Sequence, residues 1–147
     1  MYNTNIENNR CFVDCIIVSD EIAVEKFVVD TGAMYTCCYG GVVDENLEEI
    51  ALKDKENRYI GGLVKGAVVK FYRYSLNQFT IGNIDMSEQD IWITFDKRVT
   101  DIILGMDILK QVIMITNPYD QKICFCKDVH DYEHIFQLEV KESVDLI

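Results

Sequence analysis

The run Val28-Val29-Asp30-Thr31-Gly32-Ala33 constrains this chain most, because an apolar strand ends there on a carboxylate followed by a glycine. A charge at the end of a buried strand is costly unless it is bonded or used. A glycine two residues later permits a turn that side chains resist. Two readings are open on these residues alone. In one, Asp30 bonds its own backbone at an ordinary strand-to-turn junction. In the other, the strand presents a carboxylate for chemistry. A distant segment, Asp101-Ile102-Ile103-Leu104-Gly105-Met106-Asp107, adds weight to the second reading.

The remaining pattern is mostly strand. Residues 11–19 alternate and are rich in β-branched types, and 23–29 follow after the Asp20-Glu21 turn, which predicts a hairpin with at least one buried face. Another strand is expected over 34–43. Asp44 is expected to cap a short helix carrying Leu47, Ile50 and Ala51. A polar stretch, 53–58, precedes the glycine-rich segment Ile60-Gly61-Gly62-Leu63-Val64-Lys65-Gly66. Strands are predicted over 67–74, 77–81 and 90–95, with Gly82-Asn83 as a turn. A short helix over 106–112 leads to a strand over 113–116, a turn at 117–120 and a partner strand over 122–126. Ile135, Leu138 and Val140 suit a late strand in an acidic tail. No repeat and no domain boundary is visible, so 1–147 reads as one domain with its core in about 11–126 and a tail over 127–147.

At 147 residues the chain is long enough to bury a core without staples. Its 14 basic and 25 acidic residues give a net charge of −11, which argues against nucleic acid and against anionic membrane surfaces. The polar start lacks the basic and apolar regions of a signal peptide, and no apolar run reaches the ~20 residues of a membrane span. A cytoplasmic protein is expected. The six cysteines include no pair with a two-residue gap, and His130 and His134 stand in the charged tail. Reduced, mostly buried thiols are therefore expected, with no metal and no cofactor.

Asp30-Thr31-Gly32-Ala33 at a strand end, the glycine-bearing segment about thirty residues on, and Ile103-Leu104-Gly105 opening a helix occur in an order that resembles the retropepsin-type aspartic proteases. The Ile60-Gly61-Gly62 and Gly66 stretch is close to a retroviral flap. Leu104-Gly105-Met106-Asp107-Ile108-Leu109 looks more like the cellular, DNA-damage-inducible branch and its bacterial relatives. The resemblance covers roughly 11–126. It implies a mostly β, single-lobe, pepsin-like closed barrel with one or two short helices, completed by homodimerisation. It also implies an aspartic endopeptidase in which Asp30 from each of two copies activates a water.

By the same resemblance Thr31 bonds across the pair and Gly32 lets backbone approach carboxylate and substrate. Ala33 and Met34 line the cleft floor, while Gly61, Gly62, Leu63 and Gly66 form a flap over an extended peptide. Ile103, Leu104 and Gly105 brace the aspartate turn. The flap glycines also suit an ordinary hairpin turn. Asp107 falls in the first turn of a helix, where a carboxylate favours the dipole.

Only one Asp-Thr-Gly occurs, so a complete pair needs a second chain joined about a twofold axis. Two departures stand out. Met34-Tyr35 replaces the acid that retroviral enzymes place after Asp-Thr-Gly-Ala, and Met106 replaces the arginine after their late glycine. Dimer contacts are then expected from elsewhere, with 134–147 as the candidate, a stretch that equally suits a disordered acidic end. The rival reading is a non-catalytic binding or assembly domain on the same scaffold.

Overall fold

The computed structural model describes residues 2–3, 5–7, 10–117, 119 and 122–127. Strands β1 (Tyr2–Asn3) and β2 (Asn5–Glu7) lead into β3 (Arg10–Val18) and β4 (Ile22–Val29), which pair antiparallel from Phe12 opposite Val28 to Val18 opposite Ile22. Alternation sends Val13, Cys15 and Ile17 of β3 to the core. On β4 Phe27 is buried, whereas Ile22 and Val24 are exposed. The predicted hairpin is present, and it carries Asp30 just past its second strand.

The chain continues through β5 (Cys37–Tyr39), α1 (Gly40–Val43), a 3-10 turn (Glu49–Leu52), β6 (Asn57–Val64) and β7 (Ala67–Leu76). Then come β8 (Gln78–Ile81), β9 (Ile84–Asp85), β10 (Gln89–Thr94), β11 (Ile103–Leu104), α2 (Met106–Leu109), β12 (Ile113–Asn117) and β13 (Lys122–Cys126). The larger sheet runs β6-β7-β10-β5-β11-β4-β3-β8-β9 with β2 added on β3, and the smaller one runs β1-β13-β12. The architecture is mostly β with two short α-helices among the described residues, as expected.

The two residues of β11 fix the site. Ile103 and Leu104 run parallel to Val28 and Val29 on one side, and Ile103 pairs antiparallel with Cys37 on the other. A segment 75 residues downstream of Val28 is thus threaded between the two strands that flank the Asp30 turn. Beneath it lies the main core, in which Phe27 and Phe79 meet edge to face at 5.6 Å. A second, smaller cluster contains Cys37, Val69, Phe71, Trp92, Val99 and Ile103. Ala33 and Tyr35 pack on it from the Asp30 loop, and Ile60, Leu63 and Val64 from the β6 hairpin.

Three local expectations are corrected. The strand predicted over 34–43 is only Cys37–Tyr39, followed by α1. Met34 and Ala33 spend their carbonyls on the amides of Asp107 and Met106, so this stretch cannot join a ladder. Gly40 sits under Phe95, where the chain turns away from the sheet. Asp44 caps no following helix. Its amide closes α1 on Gly40 and its carboxylate takes the amide of Asn46, which delays helical structure to Glu49–Leu52. The helix predicted over 106–112 stops at Leu109, because Gln111 and Val112 bond back three residues rather than four.

Elsewhere Gly82-Asn83 forms the expected tight turn, with Gly82 at φ +58 and Ile81 opposite Ile84. Tyr2–Asn3 and Asn5–Glu7 add strands outside the expected 11–126 core. The late strand around Ile135, Leu138 and Val140, and the 134–147 contacts, lie outside the described residues.

Candidate active site

β4 ends at Val29, and the turn that follows is held from both sides. The Asp30 amide donates to the Leu104 carbonyl at 3.1 Å, and the Asp30 carbonyl accepts the Ala33 amide at 3.2 Å. Asp30 Oδ1 accepts the Gly32 amide at 2.9 Å. Asp30 Oδ2 has no hydrogen-bond partner among the described residues, and the carboxyl is half-buried on the floor of a cavity. Gly32 does not take the positive φ expected of it, which Gly62, Gly66 and Gly82 do; a Cβ there would stand 3.2 Å from Oδ1, so the glycine lets the amide come close to the carboxylate.

The cavity encloses about 430 Å³. Its floor contains Asp30, Gly32, Ala33 and Met34, and its roof contains Gly61, Gly62 and Leu63 of β6. Seven predicted site residues are therefore together, with Ile103 at the base. Tyr35, Cys37, Tyr59 and Ile60 complete the lining and were not predicted. Four predicted residues stand off the cavity: Leu104 and Gly105, described below, and Thr31 and Gly66. Thr31 is exposed beside Asp30, and its hydroxyl meets no partner among the described residues. Gly66 lies in the turn at the end of the hairpin, at φ +75, where it shapes the bend rather than the lining. Gly62 is at φ +92, at an irregularity in the β6–β7 register between Gly61 and Val64. These two positions require glycine for conformational reasons.

Leu104 is completely buried below the turn, and Gly105 admits a close crossing. A Cβ on Gly105 would lie 2.5 Å from the carbonyl carbon and oxygen of Tyr35. The segment Ile103-Leu104-Gly105, expected as a brace, lies beside Val28 and Val29, with the Leu104 carbonyl on the Asp30 amide. It is completed by two residues whose part had not been anticipated. Thr36, with no exposed surface, accepts the Gly105 amide on its hydroxyl at 3.0 Å and donates that hydroxyl to Asp107 Oδ1 at 2.7 Å. Asp107 Oδ1 also accepts the Thr36 amide at 2.9 Å. Asp107 thus ties α2 to the loop after Asp30, in addition to its place in the first helical turn. The pairing spans 71 residues, so no periodic signal in the sequence announces it.

The floor is electrically simple. Burial pushes the Cys37 thiol up to about 12, with smaller contributions from the charges of Asp107, Asp30 and Asp101. Cys37 is a neutral, apolar floor residue at physiological pH. No disulfide joins any of the six cysteines. Cys37 packs in the smaller cluster and its neighbour Cys38 in the main core, on opposite faces of β5.

This arrangement has counterparts in known proteins. The model of the gag-polyprotein putative aspartyl protease family matches residues 20–111, a stretch that contains the Asp30 turn, the glycine hairpin, β11 and α2. The chain belongs to this family. Among solved structures it is similar to a retropepsin-like aspartic protease from Rickettsia conorii, at 14% identity and a TM-score of 0.60. The similarity covers 83% of this chain and 86% of that one. The fold is retropepsin-like. No curated protein matches the sequence. No helix among the described residues is long and apolar enough to cross a membrane.

Proposed function

We propose that the protein is an aspartic endopeptidase that acts as a homodimer, with Asp30 of each copy forming the catalytic pair. The observation that carries this reading is the Asp30 carboxylate. One of its oxygens is held by Gly32, and the other stands open on the floor of a roofed cavity. Two such groups about 3 Å apart cannot both ionise, so the pair shares a proton. One carboxylate takes a proton from the attacking water while the other gives its proton to the peptide carbonyl oxygen. The tetrahedral diol then collapses, and a proton passes to the leaving amine. Proton count is unchanged over the cycle, and no covalent enzyme intermediate forms.

Thr31 and Gly32 complete the catalytic turn in this reading, and the exposed Thr31 hydroxyl reaches the second copy. Ala33, Met34, Gly61, Gly62 and Leu63 contact an extended peptide, which adds to the cleft through backbone hydrogen bonds. Gly66 lets the hairpin bend over it. Ile103, Leu104 and Gly105 hold the aspartates at the required height. The substrate is a peptide or protein, the residues at work lie within 11–126, and no metal or cofactor is required.

The test compares wild type with Asp30→Asn on a peptide library between about pH 4 and 7. Cleavage by wild type alone supports the reading. Equal cleavage by both removes Asp30 from the mechanism. Absence of cleavage by either, from a chain that binds peptide, favours the non-catalytic binding domain.

A further inference from the structure

We propose that Arg58 is a positioning residue that anchors the glycine hairpin to the loop carrying Asp30, and so sets how much of the chain is ready to receive a peptide. The proposal rests on the peptidase reading for its kinetic consequence only. Arg58 and Ile60 alternate on one face of β6, the face turned to the site floor. β6 is an edge strand whose hydrogen-bonded partner is β7. Its hold on the floor therefore depends on side chains.

The Arg58 guanidinium lies 4.6 Å from the ring centre of Tyr35 and 4.8 Å from that of Trp92. Those rings meet edge to face at 5.7 Å. Arg58 Nη1 donates to the Tyr35 hydroxyl, and Nη2 stands 3.6 Å from Glu56. Nε is buried and meets no acceptor among the described residues. Stacking and the Tyr35 hydroxyl, rather than a full set of hydrogen bonds, thus hold the group. A planar cation suits this slot better than an ammonium does.

Both aromatic residues are fixed to the machinery below. Tyr35 lines the cavity and precedes Thr36, whose hydroxyl bonds Gly105 and Asp107. The Trp92 amide donates to the Thr36 carbonyl at 2.9 Å. A continuous set of contacts therefore runs from the roof strand through Arg58 to the residues that brace Asp30. With the anchor removed, the roof samples open positions, and apparent affinity falls in proportion to the closed fraction.

The experiment measures amide hydrogen exchange and steady-state kinetics for wild type, Arg58→Met, Arg58→Lys and Tyr35→Phe, all as the full chain. In Arg58→Met the amides of residues 59–64 should exchange roughly 10- to 100-fold faster, while those of Cys15 and Ile17 in β3 hold their rates. KM should rise only by the factor by which the closed fraction falls, less than the factor in exchange, with kcat within about twofold, because bound peptide closes the roof. Arg58→Lys keeps the charge without the stacked plane and should restore only part of the protection. Tyr35→Phe keeps the ring without the hydroxyl and should give a smaller change of the same sign, which serves if Arg58→Met does not fold. Unchanged exchange over 59–64, or an equal rise in β3, overturns the proposal. So does a loss confined to kcat. If wild type cleaves no peptide, the peptidase reading fails and the exchange data alone decide the anchor.

Discussion

Replacing Gly105 by alanine should damage this fold more than any other single methyl group added at the site. The new Cβ would lie 2.5 Å from both the carbonyl carbon and oxygen of Tyr35 and 2.9 Å from the Thr36 amide nitrogen. All three contacts are backbone, so no side-chain rotation relieves them. Overpacking of this kind costs about 3 kcal/mol at the upper end of its usual range. Pushing the strands apart also stretches the 3.0 Å bond from the Gly105 amide to the Thr36 hydroxyl, worth about 1 kcal/mol more. For a domain of this size about 4 kcal/mol lowers the melting temperature by roughly 8–16 °C. Gly32→Ala is the control, since its Cβ meets only the Asp30 carboxylate, at 3.2 Å. The assay is thermal unfolding by circular dichroism at fixed chain concentration, with urea midpoints as a second measure. A Gly105→Ala melt within about 2 °C of wild type would refute the close-crossing argument.

Other consequences can be checked with the same measurements. Thr36→Val fills the same volume but orphans the Gly105 amide and removes a donor to Asp107, so it should lose about 2–3 kcal/mol in urea titrations, whereas Thr36→Ser should lose about 1 kcal/mol or less. Gly62→Ala meets open space and costs only the strain of its positive φ, about 1–2 kcal/mol, with no other thermal signature. The Cys37 thiol is pushed up to about 12, chiefly by burial, while the unfolded thiol ionises near its ordinary value. The folded state then holds its proton longer than the unfolded one, and stability is full below about pH 8.5 and falls as pH rises towards 12. Melts from pH 8 to 11 should show this fall, and iodoacetamide at pH 7.5 should label Cys37 only after urea unfolding, as read by mass spectrometry.

The Asp30 turn was legible because it is contiguous: strand, carboxylate and glycine sit side by side, and local chemistry decides their shape. The β3–β4 hairpin was legible from period-two alternation, and the roof hairpin from glycines that later prove to hold positive φ at 62 and 66. The Thr36–Asp107 pair and the Arg58–Tyr35–Trp92 stack were not. Their members are ordinary residues in ordinary runs; the threading of β11 between β4 and β5 brings the first together, and the sheet order β6-β7-β10-β5 the second. Local propensity also misled where tertiary bonds had a prior claim. Met34 looks like the start of a strand, yet its carbonyl is taken by the start of α2. Asp44 looks like an N-cap, yet it closes the helix before it.

The central claim is that each Asp30 needs a second Asp30, and subunit mixing tests it most directly. Wild type and Asp30→Asn chains are co-refolded at equal total amount, and peptide cleavage is measured against the wild-type fraction. If the site is built from two copies, activity follows the square of that fraction, and an equal mixture retains roughly a quarter of full activity. A linear dependence, with about half the activity in the equal mixture, would mean that one chain carries a complete site, and would contradict the account.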